Sequence, residues 1–222
     1  ALPVATGAKA TVFGKNSVNA VYGGSGSNAG AGGDDGKCTL YDSLESAGIE
    51  YNDAMKAFYD SDKRSGDGRP ASPDMNSTIT GLTGFATGET PADRYDDTVR
   101  ASWKDYNDLA IVFISRIGGE GFDLPRSMFW DGKGYQNWDG DSLIPGARNK
   151  DDHYLQLDKN ETDMISVAAQ NFDKVVVVLN CPTSMELGFL DDPDHYAYSD
   201  KIKACLWIGT PGNSGMAALG RI

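Results

Sequence analysis

Five short apolar runs recur along the chain, at residues 10–13, 49–51, 109–115, 175–180 and 204–208, and β-branched side chains are frequent in them. The run Val175-Val176-Val177-Val178-Leu179 shows no alternation, so it reads as a strand covered on both faces, as in a parallel sheet. Between the runs lie stretches with helical spacing: 39–47, closed by Gly48, then 53–59, 161–172, 184–190 and 214–222. In the third of these, Met164, Ile165, Ala168 and Phe172 fall on one stripe, and Asp158 followed three residues later by Glu161 reads as a capping box. Strand and helix alternate, and right-handed crossovers then place helices on both faces of the sheet. The expected fold is a three-layer α/β/α sandwich with a mostly parallel sheet of five to six strands, formed by residues 1–222 as one domain.

Two stretches break the pattern. Residues 61–93 are crowded with Gly, Pro, Asp and Thr and read as a plain surface excursion. Residues 121–154 mix glycines with Phe122, Phe129, Trp130, Tyr135 and Trp138, too aromatic for an idle loop, because exposed rings imply a partner or a core to cover.

Composition narrows the function classes. A length of 222 residues, with 40% hydrophobic and 23% charged positions, suits one globular domain rather than disorder or a fibrous repeat. The net charge of −12 repels phosphate backbones and anionic lipid, so neither nucleic acid nor a membrane surface is an expected partner. No run approaches the about 20 apolar residues that a membrane span needs, and ALPVATGAKA lacks the order of a signal peptide. Cys38, Cys181 and Cys205 show no metal-binding spacing; Cys181 and Cys205 read as small buried hydrophobes.

Several motifs suggest chemistry. The glycine-rich stretch 22–30, with Glu50 some twenty residues on, has the outline of a dinucleotide fingerprint, but residues 14–21 intervene before its first glycine. The alternative is a loop whose glycines let a ligand or another domain approach the backbone. His153 and His195 lie in acidic loops that match no EF-hand spacing and read as solvated charge, and Gly212-Asn213-Ser214-Gly215 misses the nucleophile-elbow spacing. Glu120 is different. The run 109–115 delivers it to the carboxyl end of a strand, where parallel α/β sheets bind ligands, and glycines at 118, 119 and 121 clear space around its carboxyl group. From the residues alone, a general acid and a structural role, as a helix cap or a salt bridge to Arg116, remain equally open.

The segments FGKNSVNAVYGGSGS, IVFISRIGGEGFDLP, HYLQLDKNETDMI, FDKVVVVLNCPTSMELGFL and LWIGTPGNSGMAALGRI, in this order over nearly the whole chain, resemble the α/β-sandwich domain of glycoside hydrolase family 3. The resemblance implies a retaining, exo-acting β-glycosidase of β-glucosidase type, cleaving terminal β-linked glucosyl residues without a cofactor or metal. It implies that Glu120 is the acid/base and that Ser25 or Ser27 faces the same sugar. Phe122 and Trp130 become candidate substrate contacts, the aromatic loop either stacking on the acceptor sugar or docking the barrel. The family's nucleophile Asp comes from a (β/α)-barrel domain, which this chain lacks. The expected partners are therefore a β-glucoside or oligosaccharide and a barrel domain of the same polypeptide, with the isolated domain inactive. Compartment stays open between the cytoplasm and the cell surface of a bacterium. A non-catalytic sugar- or nucleotide-binding module built on residues 23–30 is the alternative.

Overall fold

A computed structural model describes residues 2–24, 36–69, 86–120 and 153–222, together with the backbone of 129–130 and 142–143. Its strands are β1 (Lys9–Phe13), β2 (Glu50–Tyr51), β3 (Leu109–Ser115), β4 (Phe129–Trp130), β5 (Ser142–Leu143), β6 (Val175–Asn180) and β7 (Ile202–Trp207). Among the described residues five of them form one parallel sheet in the order β2-β1-β3-β6-β7, while β4 and β5 make a separate antiparallel pair. The chain leaves β1 in one direction to form β2 and returns to its other side for β3, so the topology switches between β1 and β3.

Period-two alternation builds two cores. Leu109, Ile111, Phe113, Val176 and Val178 face one side, with Ala10 and Val12 beside them, and meet Leu40, Tyr41 and Leu44 of α1 (Leu40–Ser46) and Met216. Ala110, Val112, Ile114, Val175, Val177 and Leu179 face the other. There they meet Met55, Phe58 and Tyr59 of α2 (Asp53–Asp60), which leads into the short α3 (Asp62–Ser65). Val99 of α4 (Asp97–Ser102) and Met164, Ile165 and Ala168 of α5 (Lys159–Asn171) complete that layer. A short α6 (Gly212–Gly215) follows β7. With each fully buried aliphatic side chain contributing roughly 1.5–3 kcal/mol, both faces of the sheet must stay covered. The expected three-layer α/β sandwich is present.

β3 and β6 have the bounds the apolar runs predict, and Asp158 and Glu161 form the expected reciprocal cap on α5. Elsewhere the structure differs. Residues 184–190 form only a 3-10 turn, Gly188–Leu190, because the Glu186 N–H donates to the Leu155 carbonyl (3.0 Å) instead of to a helix turn. Residues 214–222 divide between α6 and the 3-10 turn Met216–Arg221. α4 was not among the expected helices, although Asp96 caps it through the Val99 N–H (2.9 Å).

The described parts of 61–93 are not a surface excursion. Ser65, Arg69, Thr87, Glu89 and Thr90 are buried and tied to polar neighbours. Glu89 accepts from the Lys15 backbone N–H (3.0 and 3.1 Å) and from the Thr90 N–H (2.8 Å), and Thr87 donates to Asp158. Buried polar groups of this kind are retained where each finds a partner.

Burial pushes the Glu89 carboxyl up to about 8, with the nearby Glu161 and Asp158 adding to the effect against its two N–H donors. A carboxyl that holds its proton more tightly when folded contributes fully to stability below about 4.5 and loses that contribution as the pH rises through about 8. The urea midpoint of the wild type is therefore expected to fall between pH 5 and pH 9, and Glu89→Gln, which mimics the neutral acid, should flatten that fall. An unchanged slope in the variant would remove Glu89 as its source.

Candidate functional site

The strand order switches between β1 and β3, and the carboxyl edge at such a switch is the place where open α/β sheets bind ligands. On one side the chain leaves β1 through Gly14, whose φ of 117° suits only glycine and whose position leaves no room for a Cβ, 2.3 Å from the Phe113 carbonyl oxygen. The following turn, Lys15–Val18, is anchored from below. The buried Lys15 ammonium donates to the Tyr59 carbonyl (2.5 Å), Asp62 (3.0 Å) and Ser65 Oγ (3.1 Å). The chain then runs through Val21 to Gly24 across the edge.

On the other side β3 exits into Arg116, which is fully buried. Its guanidinium forms a two-point pair with Glu161 at the start of α5, and it also donates to the carbonyls of Tyr154 (2.9 Å), Ser115 (3.0 Å) and Gln156 (2.7 Å). Burial works against the Arg116 charge, but the Glu161 carboxylate outweighs it and holds the guanidinium firmly protonated. These bonds occupy all five guanidinium N–H groups, so none is left for Glu120. Of the two structural alternatives for Glu120, the salt bridge to Arg116 is not formed. Beyond Arg116 come buried Ile117, Gly118, half-buried Gly119 and exposed Glu120.

The two loops touch at glycines. A Cβ on Gly24 would lie 2.7 Å from the Gly118 carbonyl oxygen and 3.2 Å from the Gly119 Cα. At this point the glycine-rich stretch admits the backbone of the neighbouring loop rather than a ligand. Asn180, the last residue of β6, bonds the same loop: its Oδ1 accepts from the Val21 N–H (2.6 Å), and its Nδ2 donates to the Val21 carbonyl (2.8 Å).

The other candidates are placed as follows. Ser25, Ser27, Phe122, Tyr135 and Trp138 lie outside the described residues. Trp130 is described by its backbone, in β4, paired with Ser142. Glu50 sits in register with Lys9 at the start of β1, at the far edge of the sheet from Gly24, where it could not reach a ribose bound at the glycine-rich loop. His153 pairs with Glu186 (3.0 Å) and His195 with Asp192 (2.7 Å), and no metal-holding cluster occurs among the described residues. Cys181 is buried in the core and Cys205 partly so, and burial pushes the Cys181 thiol up to about 12, which leaves it an inert hydrophobe. No helix among the described residues is long and apolar enough to cross a membrane. Sequence reasoning missed Asn180, Glu89 and the Arg116–Glu161 pair; the capping-box Glu at 161 was visible, its second partner was not.

Two substitutions probe this geometry. Glu161→Ala should destabilise the protein by about 3–5 kcal/mol in chemical denaturation, since it strands a buried guanidinium. Gly24→Ala should lower stability by about 1–3 kcal/mol, because the methyl group meets backbone that can move only with its loop, whereas Gly188→Ala, facing open space, should stay within about 0.5 kcal/mol. Equal effects at 24 and 188 would contradict the tight contact between the loops.

Comparison with solved structures supports the fold. A β-glucosidase from Paenibacillus barengoltzii superposes with a TM-score of 0.66 at 21% identity, covering 100% of this chain and 20% of that one. β-Glucosidase 3B from Thermotoga neapolitana, solved with glycerol and with glucose, gives TM-scores of 0.62 and 0.61 at 18% and 17% identity, covering 100% of this chain and 26% of that one. The chain thus spans about a fifth to a quarter of the length of these proteins. No curated protein sequence matches it. The model of the glycosyl hydrolase family 3 C-terminal domain matches residues 1–222 in full, and the chain belongs to that family.

Proposed function

We propose that this chain is one domain of a larger β-glycosidase and that Glu120 is its general acid/base. The observation that carries the reading is the placement of Glu120, exposed beyond two glycines at the carboxyl edge of the sheet, where the strand order switches between β1 and β3. Family membership supports it, as do the β-glucosidase names of the similar structures, one of which was solved with glucose. The greater length of those proteins accommodates a (β/α)-barrel domain of the same polypeptide, from which the second carboxylate would come.

Retention requires two carboxyl groups about 5–5.5 Å apart. In the first step the carboxylate of the barrel domain attacks the anomeric carbon of a terminal β-linked glucosyl residue. Glu120 gives its proton to the glycosidic oxygen as that bond breaks. In the second step the Glu120 carboxylate takes a proton from water, which attacks the same carbon and releases the enzyme carboxylate. The approach of an anionic nucleophile and the exclusion of water both favour a protonated acid at the start of the cycle. Ser25, Ser27, Phe122 and Trp130 would complete the sugar pocket from the glycine-rich and aromatic stretches. Without the barrel there is no nucleophile, so the domain alone is inactive.

Glu120→Ala in the full-length enzyme tests this. Turnover of cellobiose, whose leaving group needs a proton, should fall by about 10²–10⁴-fold, and glycosyl transfer from a 2,4-dinitrophenyl glucoside should fall far less. An equal loss on both would show that Glu120 is not the acid.

A further inference from the structure

We infer that Asn180 is a positioning residue that sets the place of the Glu120 loop, an inference that rests on the proposed role of Glu120. Asn180 is fully buried, two strands from β1, and contributes nothing to either apolar core. Its amide has two lone pairs and two N–H groups, and all four are used. Oδ1 accepts from the Val21 N–H (2.6 Å) and from Ser115 Oγ (3.1 Å). Nδ2 donates to the Val21 carbonyl (2.8 Å) and to the Gly209 carbonyl (2.8 Å). Its own carbonyl accepts from the Arg116 N–H (3.2 Å). One residue therefore ties together the chain leaving β1, β3, β6 and β7.

The bonds to Val21 have a specific consequence. Donating to and accepting from one residue, the amide imitates a rung of the sheet and fixes both the height and the rotation of that backbone unit. Three residues later Gly24 lies against Gly118 and Gly119, immediately before Glu120. From below, the Asn180 carbonyl holds Arg116, four residues before Glu120. The Glu120 loop is thus located from two sides through the same residue. Shifting the 21–24 segment would move the carboxyl group away from the glycosidic oxygen, and a misplacement of about 1 Å can cost about 10²-fold in rate.

The test uses the full-length enzyme with Asn180→Ala and the nearly isosteric Asn180→Asp, which keeps the acceptor but sets an anion against the Val21 and Gly209 carbonyls. Active sites are titrated with a slowly released 2-deoxy-2-fluoroglucoside, so that unfolded protein does not count. Because proton donation is what suffers, kcat/KM should fall about tenfold further on cellobiose than on a 2,4-dinitrophenyl glucoside. An equal fall on both, with a lowered Tm, would mean that Asn180 serves only the fold and would overturn the inference. Amide exchange gives a readout independent of activity: residues 116–120 should lose protection together with 21–24. Protection kept at 116–120 while 21–24 opens would also overturn it. Should Glu120→Ala show no dependence on the leaving group, the proposed function falls, and the exchange measurement still decides whether Asn180 holds the loop. Where the alanine variant does not fold, the aspartate variant carries both measurements.

Discussion

The buried Arg116–Glu161 pair is the constraint on which the site depends. A charge pair out of water is favourable only if its remaining N–H and oxygen positions are satisfied, and here they are: three backbone carbonyls take the other guanidinium hydrogens, and Glu161 also accepts from the Asp158 N–H (2.9 Å). The pair stands at the point where β3 ends and the chain must turn toward the rim. It joins that turn to the N-terminus of α5 and to the segment around Tyr154 and Gln156. With its base fixed in this way, the loop can be made of glycine at its tip without becoming aimless.

Polar groups extend this base sideways. Thr87 donates to Asp158, Glu89 accepts from Lys15 and Thr90, and the Lys15 ammonium reaches α3. These bonds form a polar layer beneath the turn that follows β1 and the N-terminus of α5. Such a layer would keep the base of the rim in place, as the role proposed for Glu120 requires.

Legibility in the sequence followed the range of the interactions. β3 and β6 were readable to the residue because both of their faces are buried, which leaves an uninterrupted apolar run. The cap on α5 was readable because its partners are three residues apart. Glu120 could be singled out because strand, glycines and carboxylate are adjacent. Arg116 and Glu161 are 45 residues apart, and Asn180 and Val21 are 159 apart, and no local pattern announces either bond. Residues 184–190 show the converse failure: their spacing is helical, but a distant carbonyl captures the Glu186 N–H and the helix does not form.

The contact of Gly24 with Gly118 and Gly119 makes the two rim segments one inheritable piece. A graft that imports the Gly-Gly-Glu segment of a relative while leaving residues 21–24 behind would bring together backbones shaped for other neighbours. Chimeras between members of the family should therefore exchange both segments at once, and variation in one is expected to be answered by variation in the other.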